Sequence, residues 1–98
     1  MKLMISQPMR HKTDKQIKEE RQEIIRKLLN EGHEILDTII EDFVYGSGND
    51  YAIRCLSKSI SFIADVDGVV FMNGWEKARG CRIEHQVAKE YGKFIKYL

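Results

Sequence analysis

Residues 74–88, GWEKARGCRIEHQVA, concentrate the side chains that could do chemistry. A glycine-marked loop carries Trp75, Glu76, Lys77 and Arg79, and Glu84 follows in the opening part of a helix. In the first turn or so of a helix, the dipole and free amides hold a carboxylate in its ionised form, which suits a nucleophile or an electrostatic stabiliser. An ordinary first-turn acid that only stabilises its helix would occupy the same place. The helical spacing of Glu84 from Ala88 and Tyr91 sets it at the border of the apolar face, where it can look into a crevice at the end of a sheet.

Other candidates lie on separate segments. Gln7, Met9, Arg10 and Lys12 stand in a loop that runs into the helix starting after Thr13. Basic side chains beside a helix N-terminus can hold one phosphate, although neither a Walker A pattern nor GxGxxG is present and solvated loop charges read the same way. Trp75, after Gly74, offers a face on which a base or sugar could stack; a lid on the core or a subunit contact is the alternative. Asp37, Glu41 and Asp42 close the second strand and could take ribose hydroxyls or simply form a solvated edge. Ser59 lies on the apolar face of the second helix. His11, His33 and His85 show no ligand spacing, and Cys55 and Cys81 belong to no paired cluster. Neither a metal nor another cofactor is expected, and both thiols are read as reduced.

The elements that must position these residues follow from periodicity. The apolar run at residues 2–6, ended by Gln7 and Pro8, predicts a first strand. Thr13 and Gln16 form a capping box, and Ile17, Ile24 and Leu28, widened by Ile25 and Leu29, give a helical stripe stopped at Gly32. Residues 33–40 predict a second strand, and residues 45–50 (YGSGND) a mobile loop. Ala52, Cys55, Leu56, Ile60 and Ile63 recur at helical spacing over residues 50–64. Residues 66–72 (VDGVVFM) are a near-continuous apolar run, as in a central parallel strand covered on both faces. A third helix over residues 80–91, with Ile83, Val87, Ala88 and Tyr91 inward, and a last strand at 93–97 complete the order βαβαβαβ. Right-handed crossovers turn that order into an α/β, three-layer sandwich with a four-stranded parallel sheet. Ligands of such sheets bind beyond the carboxyl ends of the strands, near the topological switch point.

Composition narrows the choices. Ninety-eight residues with 43% apolar content suit one small domain, residues 1–98. Sixteen basic and fifteen acidic residues, spread along the chain, leave no basic block for a nucleic acid polymer. The N-terminal MKLMIS is too short for a secretory core or a membrane span, so a cytoplasmic protein without membrane association is expected.

The SQPMR loop after the first strand, the ADVDGVVFM strand and above all RGCRIEHQVAKEYGK (residues 79–93) resemble the nucleoside 2-deoxyribosyltransferase-like superfamily, over nearly the whole chain. They are most similar to its small phage and bacterial members. The resemblance implies a flavodoxin-like, deoxyribosyltransferase-like sandwich and a homodimer or higher homo-oligomer. It implies a nucleoside or nucleoside 5′-monophosphate as substrate, with Glu84 attacking the anomeric carbon in a two-step glycosyl transfer. Arg10 falls near the loop arginine that the monophosphate hydrolases use on phosphate, and Asp67 matches the acid that opens the strand before the active-site loop.

The departures are specific. The enzymes' assisting aspartate on the second helix aligns with Ser59, a poor general acid at neutral pH. The hydrolases' phosphate-binding serine aligns with Ala78, and the given sequence stops at Leu98, short of the extension with which transferases complete a neighbour's site. Two functions are therefore expected: an N-glycosidase or deoxyribosyltransferase using Glu84, with Arg10, Lys12 and Arg79 on the phosphate, or a non-catalytic nucleotide-binding or sequestering protein on the same fold. A structural protein using Trp75 and the acidic loop in a subunit contact is the third.

Overall fold

The computed structural model describes residues 1–38 and 48–98. Its elements are β1 (Lys2–Ser6), α1 (Asp14–Asn30), β2 (Glu34–Ile35), α2 (Gly48–Ile63), β3 (Gly68–Phe71), a single 3₁₀ turn (Trp75–Lys77), α3 (Arg79–Glu90) and β4 (Phe94–Tyr97). The strands form one parallel sheet in the order β2-β1-β3-β4. It is an α/β fold with helices on both faces, the three-layer sandwich expected from the alternation of strands and helices.

Period-two alternation along β1 and β3 sorts the core into two thin layers. Leu3 and Ile5 of β1, with Val70 and Met72 from β3 and its exit, pack against Leu28, Ile24 and Ile25 of α1. Met4, Val69 and Phe71 point the other way, onto Ile63 of α2, Val66 and Ala88 of α3. Full burial of one such side chain is worth roughly 1.5–3 kcal/mol, so a small domain with layers this thin has little surplus with which to bury charge.

Local sequence explains the helix starts. Thr13 caps α1 as the sequence indicates: its Oγ1 accepts from the Gln16 N–H at 3.1 Å, and Gln16 Oε1 accepts from the Thr13 N–H at 2.9 Å. Gly74 takes a φ of 91°, a left-handed conformation that glycine adopts without strain, and so turns the chain from β3 into the 3₁₀ turn. The order β2-β1-β3 means the chain leaves β1 in one direction and returns on its other side. The switch point therefore lies between the carboxyl ends of β1 and β3.

Four local expectations are corrected. Among the described residues the second strand pairs only at Glu34–Ile35, with one further bond from the Leu36 N–H to the Leu3 carbonyl at 2.9 Å; residues 39–40, the end of the expected strand, lie outside the described residues. Asp37 and Thr38 are instead drawn to Arg21. The second helix begins at Gly48, so residues 48–50 form its first turn and not a loop; residues 45–47 lie outside the described residues. On α1, Leu29 does not widen the buried stripe but is 53% exposed. On α3 the inward face is Cys81, Glu84 and Ala88, whereas Ile83 and Tyr91 are exposed. That helix is rotated relative to the apolar pattern because its buried stripe contains an acid.

Candidate functional site

The rotation of α3 carries Glu84 from the expected border to the middle of the buried face. It lies in the second turn, and the first turn of α3 holds no acid. Only 8% of the residue is exposed. The expected stabilisation of the ionised form by the helix start is overturned: burial pushes the carboxyl up to about 7, opposed by a hydrogen bond from Ser6 and the charge of Arg21. Near neutral pH the group exchanges readily between acid and carboxylate, the range in which a carboxyl can serve proton transfer or nucleophilic attack.

Ser6 is the last residue of β1, paired in register with Phe71. Alternation points it to the same face as Met4, towards α3. Its Oγ donates to Glu84 Oε1 at 3.2 Å, and Cys81 lies one turn earlier on the same buried face of α3. Burial is the main reason the Cys81 thiol is pushed up; the negative charge of Glu84 adds to it, and Ser6 and Lys12 oppose it. Both cysteines are free.

Arg21 approaches from the other face of the sheet. It completes the 17-21-24-28 stripe of α1 and is 2% exposed. Its Nε donates to Asp37 Oδ1 at 3.0 Å, Nη1 to Gln7 Oε1 at 3.4 Å and Nη2 to Thr38 Oγ1 at 3.1 Å. Gln7 Nε2 in turn donates to the Ile17 carbonyl at 2.9 Å. Burial lowers the Arg21 pKa, and Asp37 first and Glu84 last offset that. One guanidinium thus fastens the loop after β1 to the segment after β2, and its charge reaches Glu84. No buried side-chain N or O atom among the described residues lacks a hydrogen-bond partner.

The sequence-derived site residues divide accordingly. Glu84, Gln7 and Asp37 meet in the network of Ser6 and Arg21, where Gln7 and Asp37 hold the guanidinium. Lys12 is paired to Glu20 at 2.8 Å. Met9 and Arg10 are exposed on the loop after β1, in which His11 takes a left-handed φ of 66°, and Arg79 is exposed at the first position of α3. Arg10 and Arg79 have no ion-pair partner among the described residues. Their two loops meet: a Cβ on Gly74 would stand 3.8 Å from Pro8 Cγ. Trp75 is half-buried and stacks on His85, with ring centroids 4.2 Å apart, and Tyr97 contacts both rings. The indole therefore covers the Phe71 end of the core and has one face occupied. Ser59 is half-buried on α2, and no hydrogen bond joins it to Glu84 among the described residues. Glu41 and Asp42 lie outside the described residues. Asp67 sits at the opposite end of the sheet, where its Oδ2 accepts from the Lys2 backbone N–H at 2.7 Å.

Ser6, Arg21 and Cys81 were missed as site residues. The signal for Arg21 was its spacing within the apolar stripe of α1; for Ser6 it was a hydroxyl at the end of an otherwise apolar strand. Among the described residues no group of three or more His, Cys, Asp or Glu could hold a metal ion, and no helix is long and apolar enough to cross a membrane.

A family model described as a domain of unknown function (DUF4406) matches residues 1–97, and the chain belongs to that family. No curated protein and no solved structure matches it.

Proposed function

We propose that this DUF4406 protein cleaves the N-glycosidic bond of a nucleoside or nucleoside 5′-monophosphate, with Glu84 as the attacking carboxylate. The observation that carries the reading is a glutamate buried beside the switch point, with Oε1 held by Ser6 and its carboxyl poised near neutrality. In the ionised form the other oxygen, Oε2, attacks the anomeric carbon. The carbon–nitrogen bond breaks, its electron pair leaves with the base, and the base takes a proton from water. A water molecule, or a second base in a transfer reaction, then attacks the same carbon and breaks the ester, which returns Glu84 to a carboxylate. Arg10, exposed on the loop after β1, and Arg79, exposed at the first position of α3, have no ion-pair partner among the described residues and are the phosphate contacts, with Lys12 as a third. The similarity to deoxyribosyltransferases also supports a cytoplasmic homodimer or higher homo-oligomer, which light scattering on the purified protein tests.

A second reading has one observation in its favour. A glutamate that is about half neutral near pH 7 repels an anionic ligand less than a full carboxylate would, so the same site suits a protein that binds a nucleotide without reacting. Incubation with a panel of nucleosides and nucleoside monophosphates, followed by chromatography for free base, separates the two. The enzyme reading expects base release that rises with pH through about 7 and is abolished in Glu84→Gln. Absence of release from every substrate, with nucleotide binding unaffected by Glu84→Gln, would leave the binding reading in its place.

A further inference from the structure

The geometry points to Ser6 as the positioning residue for Glu84, its buried hydroxyl donating to the carboxylate and so holding it in place. The inference rests on the reading that Glu84 acts as a carboxylate. Ser6 is 1% exposed in a strand whose other inward residues, Leu3, Met4 and Ile5, are apolar. A hydroxyl buried there costs stability unless it is hydrogen-bonded, and alanine would satisfy the strand without that cost. What the hydroxyl does is donate to Glu84 Oε1 at 3.2 Å.

A serine hydroxyl has one proton to donate and two lone pairs to accept with. Facing a carboxylate, it donates to Oε1. Against the protonated acid only a weaker, neutral hydrogen bond is available, so the hydroxyl favours the carboxylate. An aliphatic residue at this position could make neither bond. The remaining groups that act on this cluster are Arg21 from α1 and Lys12 on the loop after β1; where α2 packs on α3, it presents Leu56 to Gly80. None of these donates a hydrogen bond to the Glu84 carboxyl among the described residues.

The test is Ser6→Ala, with Ser6→Thr as the conservative replacement that keeps the hydroxyl and suits a strand. Two readouts are used: the titration of the Glu84 side-chain carbon by NMR in the substrate-free protein, and the pH profile of base release. Loss of a hydrogen bond to a charged group moves the titration midpoint upward by about one pH unit. The ionised fraction at pH 7 then falls about five-fold, and kcat falls with it while KM for the monophosphate stays within about two-fold. Ser6→Thr restores both. Ser6→Cys, which keeps the volume with a weaker donor, gives an intermediate midpoint and stands in should the alanine variant fail to fold. A midpoint and acid limb unmoved in the folded Ser6 variants would overturn the proposal, as would a raised KM with an unmoved limb. A shifted midpoint in a protein that releases no base from any substrate would uphold the role of Ser6 and remove the glycosyl-transfer reading.

Discussion

The two ends of the sheet each hold a conspicuous acid, and they use it in opposite ways. At the amino end, Asp67 is exposed and accepts from the Lys2 N–H, while its own N–H and carbonyl bond to Lys2 and Phe94 at 2.7 and 3.0 Å. Lys93 Nζ closes the same end on the Val66 carbonyl at 2.9 Å. Those partners are mostly backbone, and they register β1, β3 and β4 against one another. At the carboxyl end, Glu84 is buried and its partners are side chains: Ser6 directly, with Arg21 acting through its charge. An acid that fixes strand register stays solvated, whereas an acid buried among side chains that no strand needs is the mark of a site.

The largest test of that contrast is the pH dependence of stability. Glu84 titrates at about 7 in the folded chain against 4.5 for an ordinary glutamate, so the folded state holds an extra proton between those values. Its contribution is complete below the lower value and is lost as pH rises through the upper one, a change of about 3 kcal/mol. Glu84→Gln cannot titrate. Urea denaturation of both proteins at several pH values should therefore show the wild-type chain losing about that much relative to the variant between pH 4.5 and 7.5. Parallel stabilities across the range would mean that Glu84 is solvated like Asp67, and the contrast would fail.

A smaller effect is expected at the amino end. Gly68 opens β3 beneath Phe94, and a Cβ there would stand 2.7 Å from the Phe94 carbonyl oxygen and 2.9 Å from its Cβ and Cδ1. The ring covers the glycine, a pairing in which an aromatic residue makes good the missing side chain. Because a backbone atom must move, Gly68→Ala should cost about 2 kcal/mol by overpacking, read as a lower denaturation midpoint with an unchanged slope. The Glu84 titration should not follow. A shift there would show that the two ends are mechanically coupled.

How much was legible in the sequence follows the same division. The layers, the parallel order and the capping box came from apolar periodicity and local turn chemistry, which report on backbone-level pairing. Residues 36–38 misled because the Ile and Thr content around them suits a strand, while Asp37 and Thr38 bond to Arg21. Arg21 itself was hidden by the habit of reading charge as surface, although its spacing fits the buried stripe of α1. Glu84 was found by residue type and resemblance, yet placed at the border of its helix face, because a pattern that scores only apolar residues selected Ile83 and Tyr91 and rotated α3 away from its true contacts. Polar cores are where periodicity fails, since the pairing that makes them tolerable joins residues far apart in sequence, as Ser6 and Glu84 are.

The smallest expected effect sharpens the comparison most. Asp67→Asn keeps an oxygen able to accept from the Lys2 N–H and removes only a charge at an exposed position. Exposed charges contribute little, so the variant should differ from wild type by no more than about 0.5 kcal/mol at neutral pH, with base release and the Glu84 titration unchanged. Asp67→Ala, which removes the acceptor, should cost about 1 kcal/mol more, measured in the same denaturation series. If the asparagine variant instead lost activity while keeping its stability, the acid that opens β3 would be acting on the chemistry from the far end of the sheet. The assignment of register to one end and reactivity to the other would then have to be abandoned.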